Sequence, residues 1–175
     1  MRLRDAIDML AESVEALGPT IWADLGCGDG TFTRALADML APGSLIHAID
    51  LDGSTLRRMP SVHKGVRIST HRGDFMKQPW PFAGLDGILM ANSLHYVENQ
   101  AAFIRDCESH MRLPRRFLLV EYDVSEANRW VPYPVSQTRL TALFERAGYS
   151  SVRVLRSRPS LYRRASLYSV AAGLL

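Results

Sequence analysis

The sequence is poor in cysteine and has no long apolar run. Its two cysteines, Cys27 and Cys107, are too few for a disulfide framework and lack the spacing of a zinc site. No apolar stretch approaches the ~20 residues that a membrane-spanning helix needs. We therefore expect no metal centre and no membrane partner.

The first 17 residues also lack the features of an export signal. Four acidic residues interrupt them, namely Asp5, Asp8, Glu12 and Glu15. A secretory signal instead has a basic start and a continuous apolar centre. We therefore expect a cytoplasmic protein.

Lysine is scarce too, with only Lys64 and Lys77, although the net charge is +3 and the isoelectric point is about 9.1. The basic charge comes from arginine, which is concentrated near the end of the chain at Arg153, Arg156, Arg158, Arg163 and Arg164. Such a cluster is typical of a solvated face, and the alternative is a surface for an anionic partner such as RNA.

The run of residues 21–31 is the most informative part of the sequence. It reads I-W-A-D-L-G-C-G-D-G-T, which predicts a short buried strand followed by a turn with glycine at every second position. Glycine tolerates positive φ and lets a ligand approach the backbone. Three glycines at the carboxyl end of a first strand therefore predict a cofactor-binding turn.

The spacing and the charge of this turn favour one kind of cofactor. A dinucleotide-binding turn reads G-x-G-x-x-G, whereas this one reads G-x-G-x-G and has Thr31 where the last glycine would stand. Asp24 and Asp29 flank the turn, and the first basic residue is Arg34, so a pyrophosphate would meet two carboxylates. A cationic ligand fits better, and S-adenosylmethionine carries a sulfonium and an ammonium.

Residues 24–30, D-L-G-C-G-D-G, resemble the first motif of the class I S-adenosylmethionine-dependent methyltransferases. Three further motifs follow in order, each after a predicted strand. Strand 44–50 ends at Asp50, strand 65–70 precedes Gly73-Asp74-Phe75, and strand 85–92 precedes residues 93–97, S-L-H-Y-V. The resemblance covers nearly the whole chain.

This resemblance implies a three-layer αβα sandwich with a seven-stranded, mostly parallel sheet and a C-terminal antiparallel strand. Predicted strands 151–155 and 166–172 support the last feature, because their short connection allows only antiparallel pairing. The fifth strand is predicted over 116–121. Residues 1–175 are expected to form one methyltransferase domain that begins with a helix over 1–18, which Gly18 and Pro19 end.

The resemblance also implies where the cofactor binds. Asp50 would reach the ribose hydroxyls, Asp74 would accept from the adenine amine, and Phe75 would lie against the ring. The implied cofactor set is Asp24, Gly26, Cys27, Gly28, Gly30, Asp50, Leu51, Asp74, Phe75, Asn92 and Ser93. Each acid has an alternative role, since Asp50 can cap a helix that starts near Asp52 and Asp74 can start a turn. Asp86, which begins its strand, is expected to be a solvated turn residue.

Methyl transfer from a sulfonium is an in-line displacement in which positioning supplies up to ~7–11 kcal/mol and a base is optional. The candidate catalytic residues are His95 and Tyr96, just past the fourth strand, and Glu121, at the end of the fifth. The alternative for His95 is to shape the cofactor pocket or to cap a helix.

The long connection from Asp123 to Gln137 predicts a substrate lid over residues 122–137. Its candidate substrate-binding residues are Tyr122, Arg129, Trp130 and Tyr133. They predict an aromatic clamp over a small, acidic acceptor. Alternatively, Trp130 and Tyr133 cover the edge of the sheet.

Several classes of acceptor are excluded. Residues 92–95 lack the Asn/Asp-Pro-Pro-Tyr/Phe pattern that resembles amino-group methylation of adenine or of glutamine amides, and the chain has neither a cysteine pair for cytosine-C5 chemistry nor the aspartate cluster of the metal-dependent catechol type. A small-molecule O-, N- or C-methyltransferase remains. The alternatives are an RNA or tRNA methyltransferase and a non-catalytic S-adenosylmethionine-binding subunit.

Overall fold

The computed structural model describes residues 1–14, 17–77, 79–159 and 165–174, so that Glu15, Arg163 and Arg164 lie outside the described residues. The described strands are β1 (Ile21–Leu25), β2 (Leu45–Asp50), β3 (Val62–His63), β4 (Val66–Arg72), β5 (Leu85–Ala91), β6 (Met111–Asp123), β7 (Ser151–Pro159) and β8 (Ser166–Leu174). The described helices are α1 (Leu3–Leu10), α2 (Thr31–Ala37), α3 (Gly53–Leu56), α4 (Gln100–Glu108) and α5 (Gln137–Arg146), and a single 3-10 turn spans Leu94–Tyr96.

The strands form one sheet in the order β3-β4-β2-β1-β5-β6-β8-β7. Strands β4, β2, β1, β5 and β6 are parallel, and β8 runs antiparallel to both β6 and β7. The seven predicted strands and the antiparallel C-terminal strand are confirmed. The eighth strand, β3, was not predicted because it has only two residues. It pairs antiparallel with β4 through a turn in which Lys64 and Gly65 both have positive φ.

Helices pack on both faces of the sheet, which confirms the three-layer sandwich. On one face, Leu10 of α1 and Leu36 of α2 form a core with Trp22 of β1. On the other, Phe103 of α4 and Phe144 of α5 pack with strand residues in a second core. Because β1, β2 and β5 are covered on both sides, their sequences are almost continuously apolar rather than alternating.

The N-terminal helix is shorter than the predicted 1–18. It ends at Leu10, since Ala11 has an extended ψ of 142° and Glu12 a positive φ of 64°. This turn brings Glu12 to β7, where its carboxylate accepts a hydrogen bond from Arg156 at 2.9 Å. Leu17, near the end of the predicted helix, is 89% exposed.

Two of the clustered arginines pair with acids of the N-terminal region. Arg156 pairs with Glu12, and Arg158 lies 3.3 Å from Asp5. These contacts fasten α1 and the turn after it to strand β7. Two arginines of the C-terminal cluster therefore already form ion pairs within the chain.

Asp86 is not the solvated turn residue that was expected. It lies within β5, where its carboxylate accepts from the backbone N–H of Ile21 at 2.7 Å and from Arg112 on β6. It therefore links three neighbouring strands.

In the ranges that the structure describes, no helix is both long enough and apolar enough to cross a bilayer.

Candidate active site

The glycine turn joins β1 to α2, and its three glycines have positive φ of 77°, 52° and 73°. A Cβ on Gly26 would lie 2.7 Å from Cβ of Ser93, and one on Gly30 would lie 2.6 Å from Cε of Met59. A Cβ on Gly28 would meet no atom within 4 Å. Gly26 and Gly30 therefore permit close packing, whereas Gly28 leaves its side of the turn open to a ligand.

Asp50, at the carboxyl end of β2, holds this turn in place. Its Oδ2 accepts from the N–H of Gly28 at 2.8 Å, and its Oδ1 accepts from the N–H of Asp52 at 2.9 Å. The helix cap is instead Asp52, which accepts from the N–H of Ser54 at the start of α3. Asp50 is thus not the cap of α3, and Leu51 beside it is largely exposed.

Asp24 is fully buried below the turn. Its Oδ2 accepts a hydrogen bond of 2.6 Å from the hydroxyl of Thr33, and its Oδ1 has no hydrogen-bond partner in the described part of the chain. Burial raises the pKa of Asp24 to about 7, against the effect of the Thr33 hydrogen bond, and the nearby charge of Asp50 adds to the rise.

Asn92 follows β5 at the same edge of the sheet. It has a positive φ of 55°, and its buried Oδ1 also has no hydrogen-bond partner among the described residues. Its neighbour Ser93 donates to the carbonyl oxygen of Leu25 at 2.6 Å and so ties the end of β1 to the segment after β5. The unpartnered oxygens of Asp24 and Asn92 are acceptors, so the turn fits a cationic cofactor.

The predicted adenine residues lie after β4. Asp74 accepts from the N–H of Met76 at 3.0 Å, so it does start a turn, as its alternative role requires. Phe75 is buried against Phe103 and beside Gly26. Cys27 is buried near Met59, and burial raises the pKa of its thiol, so it packs as an apolar residue and is a poor nucleophile.

His95 and Glu121 form a buried pair, with exposed fractions of 2% and 1%. The Nδ1 of His95 lies 2.6 Å from Oε2 of Glu121, and Oε1 accepts from the N–H groups of Leu94 and His95 at 2.9 and 3.3 Å. A carboxylate at Nδ1 favours the tautomer whose Nε2 carries the lone pair. His95 caps no helix, since Asn99 supplies the cap of α4.

Two tyrosines flank this pair. The ring of Tyr96 lies 4.5 Å from that of His95 and is 46% exposed, whereas the ring of Tyr122 lies 6.5 Å away. Tyr122 belongs to β6, which runs to Asp123, so the connection after β6 begins two residues later than the lid predicted over 122–137.

The second half of the lid is fastened to the body of the domain. The N–H of Tyr133 donates to the carbonyl oxygen of His95 at 3.0 Å, the hydroxyl of Tyr168 donates to the carbonyl oxygen of Val135 at 2.6 Å, and the N–H of Gln137 donates to Asp123. Residues 125–130, before Val131, are all exposed, and Tyr133 is partly exposed.

The tip of the lid carries Arg129 and Trp130. The side chain of Asn128 accepts from the N–H groups of Trp130 and Val131, which fixes a tight turn. Trp130 is 61% exposed, and the guanidinium of Arg129 lies 5.3 Å from the centre of its ring. The indole of Trp130 is therefore mostly accessible to solvent.

No cluster of three or more histidine, cysteine, aspartate or glutamate side chains among the described residues has the arrangement of a metal site. A cleft of about 640 Å³ lies between the turn after α1 and the first half of β6, where Arg116 and Arg153 line it. It is lined by neither the glycine turn nor the lid.

Comparison with known proteins identifies the family. Residues 23–113, which include the glycine turn and the His95 segment, match the family model described as a methyltransferase domain. The chain belongs to this methyltransferase family. The predicted class I methyltransferase, with S-adenosylmethionine as its cofactor, is thereby confirmed.

This methyltransferase is similar to an uncharacterized methyltransferase from Mycobacterium tuberculosis, at 30% identity over 92 residues. The match covers 53% of this chain and 45% of that protein, so it spans about half the length of the relative.

Its fold is similar to that of two solved structures. The YcgJ protein of Bacillus subtilis gives a TM-score of 0.73 at 12% identity, with 98% of both chains covered. The 1,6-didemethyltoxoflavin-N1-methyltransferase of Burkholderia thailandensis gives 0.72 at 18% identity, covering 98% of this methyltransferase and 77% of that chain.

Sequence reasoning missed two residues of the site. Thr33 is the partner of Asp24, and buried Gln100 donates from Nε2 to the carbonyl oxygen of Tyr133 at 2.9 Å. A threonine in the first turn of α2 offers a weak local signal. No local pattern identifies Gln100, because its partner lies 33 residues away.

Proposed function

We propose that this methyltransferase transfers the methyl group of S-adenosylmethionine to a nucleophilic atom of a planar, acidic small molecule, and that His95 accepts the proton which that atom loses. The observation that carries the proposal is the buried contact of 2.6 Å between His95 and Glu121, where the N–H of Tyr133 donates to the carbonyl oxygen of His95. The activity, the acceptor class and the role of each residue are parts of this proposal.

The residues around the glycine turn fit the cofactor. Gly28 presents an open face, and Asp24 and Asn92 present buried acceptor oxygens without partners among the described residues. Asp50 would bind the ribose, and Asp74 and Phe75 the adenine. When bound, the cofactor supplies an electrophilic methyl group on a sulfonium, which needs no further activation.

The task left to the chain is to orient the acceptor and to remove a proton. Glu121 accepts from Nδ1 of His95 and from two backbone N–H groups, so the imidazole is held in one orientation. Its Nε2 is then the atom that accepts a proton from a hydroxyl or an amine. Glu121 in turn stabilises the imidazolium that forms.

The lid indicates what kind of acceptor the site takes. Three aromatic side chains in and beside the lid are partly or largely exposed, namely Tyr96, Trp130 and Tyr133. Burial of their apolar rings against a bound acceptor would stabilise the complex. Arg129 adds a positive charge beside Trp130. A flat molecule with a negative charge complements this set, and the Burkholderia thailandensis structure, which holds 1,6-didemethyltoxoflavin, shows a similar fold with a small molecule bound.

The first experiment is calorimetric titration with S-adenosylmethionine, S-adenosylhomocysteine and NAD. Micromolar binding of the first two, with none of NAD, is expected. Binding of NAD alone, or of none of the three, would overturn the proposal. A salt-dependent affinity for tRNA, with transfer to it, would favour the RNA alternative over a small molecule.

The second experiment follows methyl transfer from a radiolabelled donor to a panel of phenols, carboxylic acids and planar heteroaromatic amines. His95→Gln should lower turnover about 10²–10⁴-fold and leave donor affinity unchanged. The control is His63→Gln on β3, at the far edge of the sheet. Equal turnover in wild type and His95→Gln would show that His95 only shapes the pocket, and binding without any turnover would favour a non-catalytic subunit.

A further inference from the structure

Gln100 is an unusual residue for its position. It is the first residue of α4, where side chains are commonly solvated, yet it is only 4% exposed. It does not cap the helix, because Asn99 accepts from the N–H of Ala102 in that role. The hydrogen bond recorded for its side chain runs outside the helix, from Nε2 to the carbonyl oxygen of Tyr133.

A buried amide needs a hydrogen-bond partner, whereas an apolar side chain of the same size would pack here without one. Tyr133 is fixed from both sides of its backbone. Its carbonyl oxygen accepts from Gln100, and its N–H donates to the carbonyl oxygen of His95. Gln100 is thus bonded to the residue that contacts the main chain of His95.

His95 in turn has bonds on both sides. Its backbone N–H and its Nδ1 face Glu121, while its carbonyl oxygen accepts from Tyr133. A continuous series of hydrogen bonds therefore runs from Gln100 through Tyr133 and His95 to Glu121. It joins α4, the lid, the 3-10 turn and β6.

We propose that Gln100 is a positioning residue for methyl transfer, whose side-chain amide holds the lid at Tyr133 and thereby fixes His95 in its working orientation. The inference rests on the proposed function of His95 and deepens it. Loss of the amide should leave the glycine turn untouched, because Gln100 contacts the acceptor side of the site through Tyr133. It should loosen the lid and the 3-10 turn together.

The test compares Gln100→Leu with wild type by hydrogen exchange, read at the amides of residues 131–137 and 94–97. Exchange in both segments should rise by about five- to tenfold, the loss that one hydrogen bond of about 1 kcal/mol predicts. The ring resonances of His95 in histidine-labelled protein should shift or broaden. With an acceptor from the screen, kcat/KM should fall about five- to tenfold, while the Kd of S-adenosylhomocysteine stays within twofold.

The matched control is Asn99→Ala, which removes the cap of the same helix and lacks any recorded contact with the lid. It should lower the melting temperature without changing exchange at residues 131–137. If Asn99→Ala reproduces the effects of Gln100→Leu, or if Gln100→Leu leaves the Tyr133 amide and the His95 resonances unchanged, the inference is wrong.

A second variant keeps the test decisive if Gln100→Leu does not fold. Gln100→Glu has the same shape, but its ionised carboxylate cannot donate to the carbonyl oxygen of Tyr133. Exchange at residues 131–137 should rise in this variant at pH 8 and return toward the wild-type rate as the pH falls and the carboxyl group gains a proton. The exchange measurement needs neither cofactor nor turnover, so its failure is distinct from a failure of the proposed function.

Discussion

The hydroxyl of Thr33 donates a 2.6 Å hydrogen bond to Oδ2 of Asp24, and both side chains are completely buried beneath the glycine turn. The other oxygen of Asp24 has no such partner in the described part of the chain. A carboxyl group so placed keeps its proton until the pH is near neutral, since burial raises its pKa to about 7. We therefore expect the binding of a cationic cofactor to be coupled to the proton of Asp24.

The first prediction concerns the pH dependence of cofactor binding. A cation favours the ionised form of Asp24, so below pH 7 its binding must displace a proton. The affinity for S-adenosylmethionine should rise up to about tenfold per pH unit between pH 5.5 and 7, then level off. Calorimetry at several pH values, in two buffers of different ionisation enthalpy, measures both affinity and proton release. An unchanged pH profile in Asp24→Asn would contradict this coupling.

The second prediction concerns two residues whose contributions to the free energy of unfolding change with pH in opposite directions. Asp24 holds its proton up to about pH 7 when folded but loses it near 3.8 when unfolded, so its contribution to the free energy of unfolding falls as the pH rises through this interval. In contrast, burial and the neighbouring His71 lower the pKa of His47 to about 4, so its contribution falls as the pH drops from 6.5 toward 4.

Urea unfolding at pH 5 and pH 8 separates the two contributions. Asp24→Asn should gain stability relative to wild type at pH 8, and His47→Gln should gain relative to wild type at pH 5. The stacking of His47 on Phe82 and its 3.0 Å contact with His71 are lost in the second variant, so only the difference between the two pH values is informative. If each variant differed from wild type by the same free energy of unfolding at pH 5 and at pH 8, neither group would titrate as described.

The third prediction separates the role of Asp50 from that of its neighbour Asp52. Asp50→Ala should weaken cofactor binding by about ten- to a hundredfold, because it removes the charge-assisted hydrogen bonds that we propose to the ribose, together with the support of Gly28. Asp52→Ala removes the cap of α3 and should lower the melting temperature with little change in affinity. Affinity measured by calorimetry decides the matter, and an equal loss in both variants would assign Asp50 a purely structural role.

The fourth prediction uses two glycines of the same turn. Both have positive φ, so alanine at either position costs about 1–2 kcal/mol of backbone strain. Gly26→Ala should be the less stable variant, because its Cβ would also clash with Ser93. Gly28→Ala should retain more stability yet lose most of its cofactor affinity, since its Cβ enters the open face. A Gly28→Ala protein that binds the cofactor normally would place the ligand elsewhere.

Much of this molecule could be predicted because the decisive patterns are local. The glycine turn and the acid that ends β2 are each written within a few residues, and parallel strands bring their carboxyl ends to one edge of the sheet. The strands and their layers follow from buried apolar runs of the right length. The helix α1 was predicted too long, and the turn that follows its end carries Glu12, whose partner Arg156 on β7 is far away in the sequence.

The chemistry between residues could not be predicted to the same degree. His95 and Glu121 were named singly, yet their contact spans 26 residues and depends on the register of β5 with β6. The partners of Asp86 and of Gln100 are likewise remote in sequence, and no period or propensity encodes such pairings. Asp86 was wrongly predicted to be a solvated turn residue, because the sequence around it does not show that Arg112 on the neighbouring strand pairs with its carboxylate.

The place of β8 between β6 and β7 has a consequence for how the domain assembles. Strand β7 comes earlier in the chain, but its recorded ladder in the sheet is with β8. It therefore gains this partner only once β8, which follows it in the chain, has been synthesised. Two of the eight described strands thus join the sheet through the late, non-local pairing of β8 with β6, and mutations in β8 should slow folding more than equally buried mutations in β2.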